Sequence, residues 1–265
     1  MKISDNDINK WGLLNSLISL MNEGVDNTTD VTIAKYLLEN YNRLQDLNIY
    51  DVAEECFVSR ATIRRIAKKL GFDNFKDLKS QFHNFSDNYS FYRVGIDENI
   101  SKNTLVEKLS LMAQECEAYF NEDKIDIIIK EMNEATQIVF LTSDIYSRQS
   151  SEFQKAMILS GKLVRVISSK FVNNEILANL KTNDILIVIS IAGFFVSQVA
   201  PFVKDTCAKK ILFTTIEKNE NNSIYDEVWC FSKQPKLNNR NVYTMYATQY
   251  CLEMISTAYI KKFGI

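Results

Sequence analysis

The stretch NIYDVAEECFVSRATIRRIAKKLGF, Asn48 to Phe72, carries two short helical patterns. The patterns run from Ile49 to Cys56 and from Ser59 to Leu70, and the two residues between them leave room only for a tight turn. Two helices joined in this way form a helix-turn-helix unit, whose second helix can enter the major groove of DNA. The stretch therefore predicts a helix-turn-helix domain.

The second of these helices has two different sides. Ser59 precedes its first turn as an N-cap, and Gly71 follows its last turn as a C-cap. An apolar stripe with the spacing i, i+3, i+4 and i+7 predicts the buried side: Ile63, Ile66, Ala67 and Leu70. The opposite side is cationic.

The cationic side and the N-cap supply eight candidate DNA contacts. We expect the hydroxyls to bind phosphates, the central arginines to bind base edges and the lysines to attract the DNA backbone. The alternative is an ordinary solvated charged face, but no acidic residue interrupts the helix and its first turn is small enough for close approach. The candidates are Ser59, Arg60, Ala61, Thr62, Arg64, Arg65, Lys68 and Lys69.

Composition places the chain among globular proteins. It has 265 residues, 46% hydrophobic and 24% charged, which is enough for two domains with their own cores. The net charge is −2, yet residues 49–82 hold seven Lys and Arg against five Asp and Glu, so the positive charge is local. No apolar run approaches the length of a membrane span, and the polar N-terminus does not resemble a secretory signal. We expect a cytoplasmic protein without a membrane partner.

Cysteine and histidine usage argues against metal sites and catalysis. The five cysteines are far apart and form no C-x-x-C pair, so we expect reduced, packed thiols and no metal site. His83 is the only histidine and falls in a segment without periodic pattern. The chain therefore offers no obvious proton shuttle, and we expect no cofactor and no catalytic residue.

The periodic patterns divide the chain into two domains. Residues 1–82 read as an all-helical domain, with further helices predicted over 7–22, 31–41 and 75–82. In the first of these helices we expect the apolar stripe Trp11, Leu14, Ile18 and Met21 to face the core. Residues 83–103 lack a pattern and are the predicted linker, and residues 104–265 form the second domain.

The second domain opens with two helices and then changes period. Short apolar runs alternate with helical stretches, which predicts a five-stranded parallel sheet with helices on both faces. The predicted strands cover 137–141, 163–167, 185–189, 210–214 and 228–231, and a final helix covers 241–262. Ligands of such sheets bind beyond the carboxyl ends of the strands, where Ser and Thr are frequent here. Strand ends are rich in these residues in any such fold, so this signal alone is weak.

The helix-turn-helix stretch resembles a known family. Together with YLLEN (residues 36–40) and FKDLK (residues 75–79), it is similar to the N-terminal domain of the RpiR family of bacterial transcriptional regulators. The similarity keeps order and spacing over about fifty residues. Phe57 departs from the pattern, because glycine is more usual at this turn and a bulky residue adopts a left-handed conformation only at a cost.

The second domain resembles the sugar isomerase (SIS) domain that follows the helix-turn-helix in RpiR regulators. The resemblance rests on NDILIVISIAGFF (183–195), KKILFTT (209–215) and NNSIYDEVW (221–229), and it implies a flavodoxin-type topology. The family's first phosphate loop, G-x-G-x-S, is replaced here by Thr142, Asp144 and Tyr146. In its second, S-x-S-G, only the first serine and the glycine are kept. The positions implied for ligand binding are Ser143, Ser147, Ser190 and Gly193.

Three functions follow from these patterns. The first is a dimeric DNA-binding transcriptional regulator of sugar or amino-sugar metabolism, whose second domain senses a phosphosugar. Because glycine amides are missing from the loops, that pocket is expected to take a different ligand or to serve mainly in dimerisation. The second is a sugar-phosphate isomerase, disfavoured because only Asp144 lies near the loops as an acid. The third, an SIS scaffold without ligand, leaves the cationic helix unexplained.

Overall fold

The computed structural model describes residues 12–80, 102–168, 174–232 and 241–264. Contacts within the chain divide it into two units, residues 1–90 and 91–265. The predicted linker, 83–103, lies almost wholly outside the described residues, as do Trp11 and His83. The predicted domain boundaries therefore remain predictions.

The first unit is all-helical, as predicted. Its helices are α1 (Gly12–Glu23), α2 (Thr29–Glu39), α3 (Ile49–Glu55), α4 (Arg60–Lys69) and α5 (Phe75–Ser80), with a 3₁₀ turn at Tyr41–Arg43. The helix predicted over 31–41 ends earlier, because Asn40 leaves the helical conformation. Its side-chain amide donates to the Tyr36 carbonyl at 2.8 Å and closes the end of α2.

The face of α1 that is buried in the core of the first unit differs from the predicted face. Leu13 and Leu17 are buried at 2% and 0% exposure, whereas Leu14, Ile18 and Met21 are only half-buried. Apolar residues occupy adjacent positions around this helix, so periodicity alone leaves two possible stripes. Packing against α2 decides between the two stripes, because Ile33 and Leu37 of α2 belong to the same buried cluster as Leu13 and Leu17.

The second unit alternates helices and strands. Its helices are α6 (Lys102–Tyr119), α7 (Glu122–Glu134), α8 (Asp144–Leu159), α9 (Asn174–Ala178), α10 (Phe194–Val203) and α11 (Thr248–Phe263). Its strands are β1 (Ile138–Thr142), β2 (Val164–Ser168), β3 (Ile185–Ile189), β4 (Lys209–Thr214) and β5 (Glu227–Cys230). Each strand lies within one residue of its predicted position at either end. The predicted final helix begins differently, with a π turn at Tyr243–Ala247 before α11.

The five strands form one parallel sheet in the order β2-β1-β3-β4-β5. This is the predicted flavodoxin-type order. β2 lies on one side of β1, and β3, β4 and β5 follow on the other side, so the strand order switches between β1 and β3. The carboxyl ends of these two strands are adjacent, with Thr142 opposite Ile189. The topology thus places the loops after β1 and β3 side by side.

Two apolar layers cover the sheet and confirm the predicted three-layer architecture. Along β1, Ile138 and Phe140 face one cluster, which includes residues from α6, α7, α8 and α11. Val139 and Leu141 face the other, with residues of α9 and α10. This alternation is that of a strand buried on both faces. In the described ranges, no helix combines the length and apolar character needed to cross a membrane.

Candidate functional site

The turn between α3 and α4 fixes where the cationic helix begins. The Phe57 N–H donates to the Glu54 carbonyl at 3.1 Å, and the Val58 N–H donates to the Ala53 carbonyl at 2.9 Å. Phe57 has a φ of 54°, so the left-handed conformation expected at this non-glycine position is present. Its side chain is 95% exposed. The turn is therefore held by backbone hydrogen bonds and not by burial of the ring.

Caps define both ends of α4. The Ser59 hydroxyl accepts from the Thr62 N–H at 3.2 Å and lies 3.0 Å from the Thr62 hydroxyl. Gly71, with a φ of 91°, follows the last turn in the left-handed conformation. Of the two hydroxyls predicted to bind phosphates, that of Ser59 thus caps the helix and that of Thr62 is hydrogen-bonded to it. A role for Ser59 and Thr62 toward DNA remains a prediction.

The buried side of α4 holds the helix on its unit. Ile63, Ile66 and Ala67 are each 1% exposed and belong to one cluster with Val52 of α3. Leu70, the last member of the predicted stripe, is half-buried. The predicted apolar stripe is therefore confirmed over its first three positions. Burial on this side leaves the cations of α4 facing outward.

The exposed side of α4 carries two parallel stripes. Arg60, Arg64 and Lys68 are spaced by four residues and form one, which we call the arginine stripe. Ala61, Arg65 and Lys69 form the other. All six are exposed. The structure therefore brings the basic residues predicted from the sequence together on one continuous surface.

Asp30, in the first turn of α2, pairs with the second stripe. Its carboxylate lies 2.6 Å from the Lys69 ammonium and 3.5 Å from an Arg65 guanidinium nitrogen. Within the described residues, the arginine stripe makes no ion pair, although the Arg60 guanidinium stands 4.6 Å from the centroid of the Tyr50 ring. Half of the cationic face is thus partly neutralised. No local pattern around α4 predicts this role of Asp30, because Asp30 lies 35 residues before Arg65.

An open depression of about 540 Å³ adjoins the start of α4. It is lined by Thr29, Phe57, Val58, Ser59, Ala61, Thr62 and Arg65. The lining combines apolar groups with one cation, and five of the seven residues lie between positions 57 and 62. The exposed Phe57 ring therefore lies on the same side as the candidate DNA contacts Ala61 and Arg65.

The second candidate site lies beyond the ends of β1 and β3. Ser143 precedes α8 and makes no side-chain capping bond, while Ser147 is half-buried one turn into that helix. Ser190 follows β3 and is 2% exposed, and Gly193, with a φ of 81°, is the N-cap of α10. The topology brings these loops together at the switch point of the sheet.

The hydroxyls that end the strands are used within the protein. The Ser190 hydroxyl accepts from the Val196 N–H at 3.1 Å. The Thr215 hydroxyl donates to the Ile191 carbonyl at 2.8 Å, and the Thr142 hydroxyl donates to the Ser143 carbonyl at 2.9 Å. These bonds fasten the loops to the sheet. The Ser190 hydroxyl acts as an acceptor in its bond, so it can still donate a hydrogen bond to a ligand.

Tyr146 occupies the part of the first loop where the SIS pattern has its serine. The residue is 8% exposed and belongs to the apolar cluster that contains Phe140 and Phe153. Burial raises the pKa of the Tyr146 phenol, so the group stays protonated at neutral pH. The Tyr146 side chain, in the first turn of α8, is thus part of the apolar core and does not supply the hydroxyl that the SIS pattern has at this position.

Comparisons with known proteins bear on the first unit most directly. Residues 13–87 match the model of the helix-turn-helix domain of the rpiR family. The transcriptional regulator GlvR of Bacillus subtilis is 24% identical over 245 residues, which are 88% of this chain and 90% of GlvR. Residues 13–87 therefore form a helix-turn-helix domain of the rpiR family.

A solved structure shares the fold of both units. Vibrio vulnificus NanR, in complex with ManNAc-6P, aligns with 95% of this chain and 92% of its own, at a TM-score of 0.50 and 16% identity. At this identity the likeness concerns the fold. The α3–α4 pair lies within the residues that match the rpiR-family helix-turn-helix model, and the matching relative GlvR is a transcriptional regulator.

Removing the Asp30 carboxylate should strengthen binding to duplex DNA. The change Asp30→Asn withdraws a negative charge from the face and releases Arg65 and Lys69 toward phosphates. We expect about threefold tighter binding at low salt, and a steeper fall of affinity with salt concentration. Fluorescence anisotropy of a labelled duplex over a salt series measures both.

The matched control for Asp30→Asn is Asp26→Asn. Asp26 pairs with Lys35 across 3.1 Å, and its side chain is 81% exposed. The control removes the same charge from the same unit without touching α4, so DNA affinity should stay unchanged. Weaker binding by Asp30→Asn would contradict the prediction, because the carboxylate would then be orienting the two cations for DNA.

Proposed function

We propose that this chain regulates genes of sugar or amino-sugar metabolism by binding an operator through α4. The observation that carries the proposal is the arginine stripe, whose charges point outward from a capped, well-packed helix in an RpiR-family domain. Arg64 is the best placed to bind guanine through two hydrogen bonds, because it lies mid-stripe and is exposed. Lys68 and Arg60 flank it and would contact phosphates.

Selection of bound fragments from the source genome tests this proposal. The full chain should retain duplexes that share one sequence motif, and neighbouring genes would name the regulated pathway. Binding should weaken steeply with salt, since neutralised phosphates release counterions. Failure to retain any duplex at low salt would exclude the proposal.

The chain is proposed to act as a homodimer. Helix-turn-helix proteins commonly bind two half-sites one helical turn apart, and one copy of α4 reads only one of them. The selected motif should therefore be a palindrome. Sedimentation of the free protein and of its DNA complex gives the number of copies, and a single copy on a non-palindromic motif would contradict the proposal.

The second unit is proposed to sense a sugar-derived effector without the usual phosphate cradle. NanR was solved with ManNAc-6P, which suggests the ligand class. In this chain Ser143, Ser147, Ser190 and Gly193 are the proposed contacts. The buried Tyr146 and the missing glycines favour a ligand other than the usual phosphosugars.

Titration calorimetry with phosphosugars should therefore show weak binding. We expect hexosamine and pentose phosphates, ManNAc-6P included, to bind with Kd above about 1 mM, because few backbone amides and hydroxyls remain to hold a phosphate. The control is the same titration with inorganic phosphate. Saturable binding of any phosphosugar at micromolar concentration would contradict the prediction.

The chain is also proposed not to be an enzyme. Aldose–ketose isomerisation needs a base beside the substrate carbon, and the sequence from residue 104 onward contains no histidine. Glu152 and Glu175 are on helices, and Glu152 is paired with Lys155 at 2.7 Å. A coupled assay with pentose and hexose phosphates should show no turnover; measurable turnover would reverse this assignment.

A further inference from the structure

Phe57 is a residue that the fold does not need. Its ring is 95% exposed, so it contributes almost nothing to the core. Its φ of 54° is unfavourable for a bulky side chain. The two hydrogen bonds of the turn come from backbone N–H groups, which glycine would supply equally well and without strain. The side chain therefore destabilises the turn that it occupies.

The position of the ring relates it to the cationic face. Phe57 lines the depression beside α4 together with Ala61, Thr62 and Arg65, three of the candidate DNA contacts. Val58 adds further apolar surface to the same depression. A partner that fills it must offer an apolar group within reach of the ring and negative charge within reach of Arg65.

Duplex DNA meets both requirements in its major groove. The phosphates supply the negative charge, and the C5-methyl group of thymine is the apolar group on the groove edge of a base pair, where Ala, Thr and Phe side chains can contact it. We propose that Phe57 is a specificity-determining residue, whose ring packs on a thymine methyl next to the base pairs contacted by α4. This inference rests on the proposed DNA binding and adds a base preference to it.

The test replaces the ring and the methyl group separately. The probe is a duplex recovered by the full chain from a random-sequence pool, with each thymine in turn replaced by deoxyuridine, which lacks only the methyl group. For the wild-type protein, one such replacement should weaken binding about fourfold. For Phe57→Gly the same replacement should have no effect. Phe57→Leu, which keeps an apolar side chain, should retain part of the sensitivity.

Stability measurements keep this test independent of folding. Phe57→Gly should unfold at higher denaturant concentration than the wild type, because glycine relieves the positive φ. We therefore expect Phe57→Gly to be more stable than the wild type and to bind DNA more weakly. Its binding should not depend on the thymine methyl group. A purely structural role for Phe57 would not give this combination.

The possible outcomes distinguish a failure of the proposed DNA binding from a failure of the role proposed for Phe57. If the wild-type protein recovers no duplex, the proposed DNA binding fails. If it recovers a duplex but Phe57→Gly binds it with unchanged affinity, only the role of Phe57 fails. Equal losses on thymine and deoxyuridine duplexes would assign the ring to the sugar-phosphate backbone, and would likewise overturn the thymine proposal.

Discussion

Replacing Ile66 by alanine should lower the free energy of unfolding of the first unit by about 2 to 5 kcal/mol. Ile66 is 1% exposed, at the centre of the stripe that holds α4 on its unit. Removing three carbons there leaves a cavity among close-packed neighbours. A loss of this size is a large fraction of the stability of a small domain, so DNA binding should fail at elevated temperature.

Hydrogen exchange of the α3 and α4 amides measures this effect, because it reports on the first unit alone. The matched control is Ile127→Ala in the second unit, followed by hydrogen exchange of the α7 amides. Ile127 is 60% exposed on α7, and the same deletion there should change the free energy of unfolding of that unit by no more than about 0.5 kcal/mol. Unchanged protection of α4 in Ile66→Ala would mean that the helix is not held by this packing.

Arg64→Ala, two residues from Ile66, should have the opposite effects: DNA binding should weaken while the free energy of unfolding stays the same. Because Arg64 is exposed, its loss should leave stability unchanged. Affinity for the selected operator should fall by about 1 to 3 kcal/mol, or about 5- to 150-fold, and discrimination at one base pair should relax. The measurement is binding to the operator and to each of its single-base variants.

Two lysine variants serve as comparisons for Arg64→Ala. Lys68→Ala should weaken binding by the same factor on every sequence, and should reduce the slope of log affinity against log salt by about 1. Lys76→Ala removes the same charge from the exposed side of α5 and should change neither the DNA affinity nor the salt slope. A loss with Arg64→Ala that is uniform over all variants would place that arginine on a phosphate.

Local signals were sufficient for the elements that carry DNA binding. The cap at Ser59, the glycine after Leu70 and the apolar stripe each act within one or two turns, and the structure has all three. The strands were predicted closely for a similar reason. A continuous apolar run bounded by polar residues has few ways to be buried other than inside a parallel sheet.

Features that depend on distant elements could not be predicted in the same way. The pairing of Asp30 with Arg65 and Lys69 requires α2 to pack beside α4, and nothing in the local sequence encodes that geometry. The α1 stripe was misassigned because two faces of that helix are apolar. The bond from the Val196 amide in the first turn of α10 to the Ser190 hydroxyl likewise joins two elements, and the role of Ser190 toward a ligand stays a prediction.

The sheet order has a consequence for synthesis on the ribosome. Pairing β1 with β3 joins residues 47 positions apart in the chain, as in Ile138 and Ile185. In the first unit, by contrast, successive helices contact each other, α1 with α2 and α3 with α4. Long-range pairing is slow, and N-terminal units emerge first. The nascent polypeptide should therefore display a finished α4 surface while its sheet is still incomplete.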